Sequence, residues 1–463
     1  MKKEKSYLKA TGLYTIGNVF NKAISLLLLP IFTRLLSTES YGVVSTYNSW
    51  VSLATIIIGL QLYLTLRSAF SEYADRLYSY ISSIDTLIAL FFAFFSATTI
   101  IVCIFCFESI PLILVVFCLI HAFMHSIINV ELQRQMMALE YVKRTLLLSI
   151  PNLIAALLGI VLIVMWPETD YMGRICSWVA VYVIIGTFFF ISHLKNGREY
   201  FNLKYWKYGI SYSFPLIFHG LSGEALNSVD KTMLTSLRTA SETGIYSVSY
   251  TMGMALKIIT SSVESVWIPW FTKKIQENNK KKINSVARLY LISISFICVA
   301  AMLCLPEVLK AFADRPYWDG VYVIPPIVLA SFIVFLYSLS VDVEYYYKAT
   351  KGIAINTAIA AVANLTLNYI FIPKYGAMAA AYTTVVSYAI SFFIHYSTAR
   401  KLDSELFPFN IYLAPIAIAF LGTVLTYLTI EYWLIRWAIA CAIMFILAVV
   451  GIKKFDIINT LRH

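Results

Sequence analysis

Long apolar stretches recur along the whole chain, and they restrict its fold more than any other feature. Fourteen of them are long enough for a helix to cross roughly 30 Å of hydrocarbon. Of the 463 residues, 60% are hydrophobic and only 13% are charged, whereas a soluble domain is typically about 45–50% apolar and about 25% charged. The sequence therefore predicts an all-α, polytopic membrane protein with 14 transmembrane helices. The predicted spans are 11–36, 42–66, 79–106, 110–133, 143–166, 171–193, 206–233, 241–271, 284–306, 321–346, 351–372, 376–399, 409–430 and 434–452.

Basic residues are distributed unevenly between the predicted loops. With the N terminus placed in the cytoplasm, 26 of the 36 lysines and arginines fall on the cytoplasmic side and 8 on the outer side. The remaining two, Lys22 and Lys257, lie within spans. This bias follows the positive-inside rule and predicts that both termini are cytoplasmic. It also accounts for the net charge of +11 by contact with anionic membrane lipids, so no nucleic-acid partner is expected.

The chain repeats itself at a distance of 202 residues. TRLLSTESYGVVSTY (33–47) aligns with TSLRTASETGIYSVS (235–249), and this shift pairs Gly42 with Gly244. Parallel repeats are a transporter architecture in which the substrate binds between the halves. The predicted organisation is an N-terminal six-helix bundle (1–200), a C-terminal six-helix bundle (201–400), and two additional helices with a cytoplasmic tail (401–463).

Polar side chains interrupt several spans along one face of the helix. In GNVFNKAISLLLLP (17–30), Asn18, Asn21 and Lys22 recur at spacings of three and four residues, which return to the same face. A lysine at mid-bilayer costs about 2.5–3.5 kcal/mol on insertion scales. We therefore expect the stripe to line a water-filled central cavity. Similar stripes in the second, seventh and eighth spans extend the predicted polar lining to Asn48, His219, Asn227 and Tyr250.

Four cations near these stripes are candidates for holding an anionic substrate. They are Lys22, Lys257, Lys231 and Arg34. Structural alternatives remain open, because Lys22 could extend to the membrane interface or form an ion pair with a carboxylate, and Lys257 could form an ion pair. Lys231 and Arg34 could instead belong to the outer membrane interface, near the predicted ends of their spans.

Carboxylates within the same helices predict a site for a coupling ion. Glu224, Glu264 and Asp230 are the candidates for binding Na+ or H+. Asp85, in the third span, has no base nearby in the sequence.

Other motifs do not indicate an enzyme. His121 and His125 lie four residues apart on one helix but lack an identifiable third metal ligand, so polar packing is favoured over metal binding or proton relay. The sequence has no Walker loop, no G-x-S-x-G and no dinucleotide fingerprint. We therefore predict a transporter without a metal or organic cofactor. An ion gradient, the membrane potential or the gradient of the cargo itself would drive it.

Three motifs resemble those of a known transporter family. LSTESYGVVSTY (36–47) and LNSVDKTML (226–234) are similar to its elements after the first span and in the seventh. NLTLNYIFIPKYGAMAAAYTT (364–384) resembles its signature N-L-x-L-N-x-x-x-I-P-x-Y-G-x-x-G-A-A-x-A-T and departs from it at Ala379 and beside Thr383. These departures concern helix packing more than chemistry. The family is that of the Wzx-type lipid-linked oligosaccharide flippases, the polysaccharide transporter branch of the multidrug/oligosaccharidyl-lipid/polysaccharide exporter superfamily.

The resemblance implies a bacterial cytoplasmic membrane protein with a MATE-like, V-shaped pair of six-helix bundles that opens alternately to each side. The implied cargo is an oligosaccharide repeat unit on undecaprenyl pyrophosphate, moved from the inner to the outer leaflet for surface polysaccharide biosynthesis. A diphosphate needs fixed cations in place of its hydration, and Lys22 and Lys257 would supply one from each half. A polysaccharide polymerase and other assembly proteins are further candidate partners.

Three other functions remain as alternatives. A MATE-type cation-coupled drug exporter would need an acidic cavity for cationic cargo, whereas two of the deepest charges here are lysines. A membrane polymerase or ligase would be expected to carry a long outer loop with catalytic residues, and the sequence has no loop beyond about 20 residues. A purely structural role in an assembly is the third.

Overall fold

The computed structural model describes residues 26–106 and 110–453, with side chains up to residue 449. Over these ranges the chain is all-helical and forms no β-strand. The helices are α1 (Leu26–Leu35), α2 (Thr38–Ile58), α3 (Leu66–Glu72), α4 (Leu77–Cys106), α5 (Leu112–Met137), α6 (Tyr141–Met165), α7 (Asp170–Gly197), α8 (Leu203–Leu237), α9 (Ala240–Gly253), α10 (Leu256–Gln276), α11 (Lys280–Phe312), α12 (Ile324–Tyr346), α13 (Thr350–Leu402), α14 (Asn410–Leu428) and α15 (Trp433–Lys453). Short 3-10 segments cover Leu62–Thr65, Ala74–Arg76, Pro167–Thr169 and Arg315–Tyr322.

Many of these helices are suited to cross a bilayer. In the described ranges, eight are long and apolar enough to do so, and α2 with Leu62–Glu72 forms a ninth candidate that is bent by 52°. Helix α13 alone covers two of the predicted spans. Helices α8 and α10 fall outside the eight because polar residues interrupt their apolar surface. The chain is therefore an all-α integral membrane protein, and the total of 14 spans remains a prediction.

Contacts group the chain into two compact units, Met1–Thr235 and Ser236–His463, here called the N-terminal and C-terminal units. Nearly all of α8 belongs to the N-terminal unit, although the sequence analysis assigns it to the second bundle. The bundle boundaries inferred from the sequence repeat, at residues 200 and 400, remain a prediction.

In the N-terminal unit, α7 packs against α4, α5 and α6, and α2 packs against α5. The core between them is apolar and includes Tyr47, Ile84 and Ile127. Helices α6 and α7 approach closely at Gly173, where an added Cβ would lie 2.7 Å from the backbone nitrogen of Ile163.

In the C-terminal unit, α12 packs along α13, and α11 contacts α12, α14 and α15. A small apolar cluster of Val299, Ala300, Leu303 and Ala440 joins α11 to α15. Helices α10 and α12 also pack together, which brings the polar residues of α10 beside those of α12.

The 202-residue repeat has a local structural counterpart at two helix starts. Ser37 caps α2 by accepting a hydrogen bond from the backbone N–H of Ser40 at 3.1 Å. At the aligned position, Thr239 caps α9 by accepting one from Glu242 N–H, also at 3.1 Å. Hydroxyl side chains are preferred at this position because they satisfy a backbone donor that the helix leaves unpaired. Both aligned stretches therefore begin a helix with a hydroxyl N-cap residue.

The signature stretch 364–384 forms the bend of α13. Gly376, at the bend, has φ 57° and ψ −136°, a conformation almost restricted to glycine. On either side, the buried Asn368 donates to Asn364 Oδ1 at 3.1 Å and accepts from the Thr383 hydroxyl across the bend. The motif residues thus hold the two arms of α13 together.

Alanine at Gly376 is expected to destabilise the chain by about 1–3 kcal/mol, because its Cβ makes this backbone conformation strained. The Cβ would also overlap the carboxylate of Glu242. Thermal unfolding of the detergent-purified variant measures the effect. Gly352→Ala is the matched control, since outside its own helical turn its Cβ would meet no atom closer than the Glu344 carboxylate oxygen at 3.8 Å. Equal stability of the two variants would contradict the assigned role of Gly376.

Candidate functional site

Helix α8 brings three of the predicted site residues together within the N-terminal unit. Lys231 interacts electrostatically with Asp230 and Glu224, and Asp230 is only 1% exposed. Glu224 also accepts a hydrogen bond from the Ser228 hydroxyl at 2.6 Å. The result is a mixed-charge cluster on one helix, in which the cation predicted to bind substrate and two carboxylates predicted to bind an ion are neighbours.

The other predicted residues of this unit lie on three helices. Arg34, at the end of α1, and Asn48, on α2, are both exposed. His219 and Asn227 are half-buried on α8, where the Asn227 amide donates to the Gly223 carbonyl oxygen at 2.8 Å. Asn18, Asn21 and Lys22 lie outside the described residues, so their role remains a prediction.

In the C-terminal unit, the eighth predicted span is divided between α9 and α10. Lys257 is exposed at the start of α10, immediately after the break. Tyr250 lies on α9, 8% exposed, with its ring 5.8 Å from that of Tyr246. The break therefore places the predicted cation at a helix terminus.

Glu264 has an acidic neighbour that the sequence analysis did not identify. Glu264 interacts electrostatically with Asp342 of α12. Asp342 accepts a hydrogen bond from the indole N–H of the buried Trp267 at 3.0 Å. Two carboxylates on facing helices can share a cation or a proton, since neither favours ionisation beside the other.

A buried carboxylate–histidine network, also missed from sequence, joins three helices of the N-terminal unit. His193 Nδ1 lies 2.7 Å from Asp85 Oδ2, and His193 Nε2 lies 3.2 Å from Glu131 Oε2. All three residues are at most 4% exposed. Asp85 therefore does have a neighbouring base, 108 residues further along the chain. Asp85 and His193 lie on different helices, so the residue spacing along either helix does not show that they are in contact.

The network continues from Glu131 toward the surface. Arg134 donates two hydrogen bonds of 2.7 Å to Glu131 and one of 3.0 Å to Glu140, and Lys143 donates to Glu140 at 3.1 Å. The hydrogen bonds from Lys143 and Arg134 lower the pKa of the Glu140 carboxyl below its ordinary value. With an imidazolium at His193, the positive and negative charges of the whole network balance.

An open groove of about 610 Å³ lies beside this network, between α5, α6 and α7. Polar side chains, among them Arg134 and Lys143, line part of it, and Leu146, Ile150 and Phe188 belong to its apolar remainder. In the C-terminal unit, a groove of about 390 Å³ lies between the arms of α13 and is almost wholly apolar. Both have the amphipathic or apolar character expected of surfaces that contact lipid.

The C-terminal unit contains a similar buried pair. His395 Nδ1 lies 2.8 Å from Glu344 Oε1, and the two residues are 1% and 0% exposed. His395 follows His193 by 202 residues, the distance of the sequence repeat. The repeat therefore extends to a buried imidazole paired with a carboxylate in each unit.

His121 and His125 lie inside the N-terminal unit against tyrosines. Their rings are 4.6 and 5.2 Å from that of Tyr182, and His121 Nδ1 lies 3.3 Å from the hydroxyl of Tyr47. These contacts fit the polar packing role favoured by the sequence analysis.

Comparison of the sequence with known families gives one match that covers more than half of the chain. Residues 7–274 match the family described as "Polysaccharide biosynthesis protein". Two relatives come from Haemophilus influenzae. One, described as an "Uncharacterized membrane protein", is 23% identical over 361 residues, 75% of this chain and 86% of that protein. The other, "Lsg locus putative protein 1", is 22% identical over 357 residues, with the same coverage of both chains.

Comparison with solved structures identifies the fold. The chain is similar to "Lipid II flippase MurJ, inward closed conformation", with a TM-score of 0.69 at 16% identity over 96% of this chain and 99% of that one. It is also similar to an inward-facing multidrug resistance MATE family transporter of the MOP superfamily, with a TM-score of 0.60 at 14% identity over 84% of this chain and 96% of that one. At these identities the similarity establishes the fold alone, which is that of MurJ and MATE transporters.

Proposed function

Because the chain belongs to the polysaccharide biosynthesis protein family, we propose that it flips undecaprenyl-pyrophosphate-linked oligosaccharide repeat units across the bacterial cytoplasmic membrane. The cargo would move from the inner to the outer leaflet by alternating access, with both termini of the chain in the cytoplasm. The family match is the observation that carries the proposal. It is supported by the similarity over nearly the full length to a structure described as a lipid II flippase.

The chemistry of the cargo matches the predicted site residues. A diphosphate carries concentrated negative charge and is bound most strongly by ammonium and guanidinium groups. Among the described residues, Lys257, exposed at the start of α10, is the main candidate for binding the diphosphate. Lys22 is its proposed counterpart in the first span. Lys231 and Arg34 are further candidates. Amide, imidazole and phenol groups of Asn18, Asn21, Asn48, His219, Asn227 and Tyr250 would contact the sugars.

Coupling to an ion gradient is proposed at the acidic residues of both units. In the C-terminal unit, Glu264 and Asp342 would hold Na+ or H+ between α10 and α12. In the N-terminal unit, Glu224 and Asp230 are the candidates. Uptake of fluorescent lipid-linked oligosaccharide into reconstituted vesicles, with an imposed Na+ or pH gradient, would identify the coupling ion.

A MATE-type drug exporter is less well supported. Cationic drugs require a cavity with an excess of carboxylates, whereas the four predicted cations are balanced by the four candidate carboxylates Glu224, Asp230, Glu264 and Asp342, so no excess of negative charge is predicted. The TM-score to the MATE transporter is also lower than to the lipid II flippase. A drug-efflux assay on cells that overproduce the chain would separate the two functions.

Removing the gene from its host tests the proposed function directly. We expect surface polysaccharide to disappear and lipid-linked repeat units to accumulate in the inner leaflet, because synthesis continues without export. Restoration of both by a plasmid copy completes the test. Normal surface polysaccharide in the deletion strain would overturn the proposal.

Lys257→Ala in the plasmid copy is expected to lower export by about 10- to 100-fold, since a hydrogen bond to a charged group contributes about 1.5–3 kcal/mol. Lys257→Arg should retain most of the activity because it keeps the charge. Lys401→Ala, at an exposed lysine near the end of α13, is the matched control and should export normally. Unchanged export by Lys257→Ala, with normal protein levels, would contradict the cationic cavity.

A further inference from the structure

One buried cation of the N-terminal unit has no carboxylate partner in the described part of the chain. Among the described residues of both units, the buried lysine and arginine side chains are Arg174, Lys274 and Arg436, at 8%, 5% and 0% exposure. Lys274 forms an ion pair with Glu277, and Arg436 forms one with Glu307. Arg174, on α7, forms none within the described residues. A charge inside a membrane protein is costly unless a counter-charge or a polar ligand compensates it, which marks Arg174 as a functional residue.

The side chain of Arg174 reaches away from the nearby end of α6 and toward the middle of that helix. Its Nη1 donates to the carbonyl oxygen of Ala155 at 2.9 Å. Ala155 lies ten residues before the end of α6 at Met165, which is roughly 15 Å along a helix. A lysine or arginine that only avoids lipid extends toward the headgroups. Arg174 does the opposite, so escape to the interface does not explain it.

The surroundings hold the guanidinium in place without neutralising it. Its central carbon lies 4.1 Å from the ring centroids of both Phe32 and Trp178. Aromatic faces attract a cation but carry no net charge. Gly159 leaves the space that the side chain occupies, since a Cβ there would lie 3.1 Å from Nη1.

Most of the hydrogen-bonding capacity of Arg174 remains available. A guanidinium has five N–H donors, and among the described residues only the Ala155 carbonyl accepts one of them. A fixed, unneutralised guanidinium with several unused donors is the group best suited to bind phosphate, since its planar fork matches two phosphate oxygens.

We propose that Arg174 is an anion-binding residue that receives a phosphate group carried by a lipid, namely the diphosphate of the transported cargo. The assignment to cargo rests on the flippase function proposed above. Phe32 of α1, Ala155 of α6 and Trp178 of α7 would hold this cation in place inside the N-terminal unit. The phosphate supplies the counter-charge that the described chain lacks.

Thermal unfolding of the detergent-purified chain with added undecaprenyl pyrophosphate tests the anion site. A ligand that binds only the folded state raises the melting temperature, and we expect a rise of about 3–5 °C at saturation. The rise should vanish in Arg174→Gln and shrink in Arg174→Lys, which keeps the charge but loses the two-pronged geometry. Arg238→Gln is the matched control, because Arg238 lies partly exposed in the other unit and pairs with Glu242. It should show the full rise.

A parallel titration with phosphatidylglycerol, at equal phosphate concentration, separates the two sources of lipid phosphate. A rise only with undecaprenyl pyrophosphate supports the cargo assignment. An equal, Arg174-dependent rise with both lipids would keep the anion site but overturn cargo as its specific ligand. No rise in the unmodified chain, or the same rise in Arg174→Gln, would overturn the anion site. If Arg174→Gln does not fold, an undiminished rise in melting temperature in Arg174→Lys would likewise overturn the anion site.

Export in cells distinguishes this inference from the proposed function. If the unmodified chain restores surface polysaccharide and folded Arg174→Gln restores it equally, the anion site is wrong and the flippase function stands. If the unmodified chain restores none but binds lipid phosphate through Arg174, the flippase function is wrong and the anion site stands.

Discussion

Replacing His193 with glutamine is expected to lower the free energy of unfolding by about 3–5 kcal/mol, the cost of breaking a buried ion pair from one side. His193 lies between Asp85 and Glu131, at 2.7 and 3.2 Å from their carboxylates. Glutamine fills similar space but carries no charge, so a buried negative charge would remain uncompensated. Thermal or denaturant unfolding of the detergent-purified variant measures the loss.

A second substitution distinguishes charge balance from packing. In the double variant Asp85→Asn, His193→Gln, one negative and one positive charge are removed together, and Glu131 keeps its two hydrogen bonds from Arg134. We expect the double variant to recover most of the lost stability, because replacing a buried pair by neutral groups of similar volume costs little. A double variant less stable than either single one would show that shape and hydrogen bonding, and not charge, determine the role of His193.

Replacing Arg436 with glutamine is the second change for which we expect a loss of about 3–5 kcal/mol. Arg436 is fully buried on α15 and forms an ion pair with Glu307 of α11. It also donates hydrogen bonds to three backbone carbonyl oxygens, those of Leu303 at 2.9 Å, Thr429 at 3.0 Å and Ile430 at 2.9 Å. One side chain thus connects α11, α15 and the end of α14, and glutamine cannot reach these acceptors.

The same unfolding measurement, with two further variants, checks the assigned role. Arg436→Lys keeps the charge but offers three donors from one atom, so we expect an intermediate loss. Glu307→Gln keeps an acceptor for the guanidinium and, being 21% exposed, should cost less than Arg436→Gln. If Glu307→Gln were the more damaging change, the ion pair and not the carbonyl contacts would dominate.

The regular part of this fold follows directly from the sequence. Apolar runs longer than 18 residues have one stable conformation in lipid, because a helix satisfies its own backbone hydrogen bonds. The helix starts at Ser37 and Thr239 are also local features, since each cap joins a hydroxyl side chain to a backbone N–H only three residues further along the chain. The bend at Gly376 lies within the most recognisable motif.

The interior contacts do not follow from the sequence in this way. Asp85 is joined to His193 across 108 residues, and Arg436 to Glu307 across 129. Such pairs depend on which helix faces pack together, and the pattern along one helix does not determine that. Arg174 shows a second limit. Its position near a helix end favours an interfacial side chain, whereas the space beside Gly159 and the carbonyl of Ala155 draw it inward.

The bend of α13 also bears on how the chain is made. Its two arms meet at Gly376 with no intervening loop, and a tight hairpin of this kind can leave the translocon as one unit. The paired amides and hydroxyl of Asn364, Asn368 and Thr383 would face hydrocarbon if either arm entered alone. Synthesis must therefore proceed beyond Thr383 before the first arm is stable in the bilayer, which couples membrane insertion of the two segments in time.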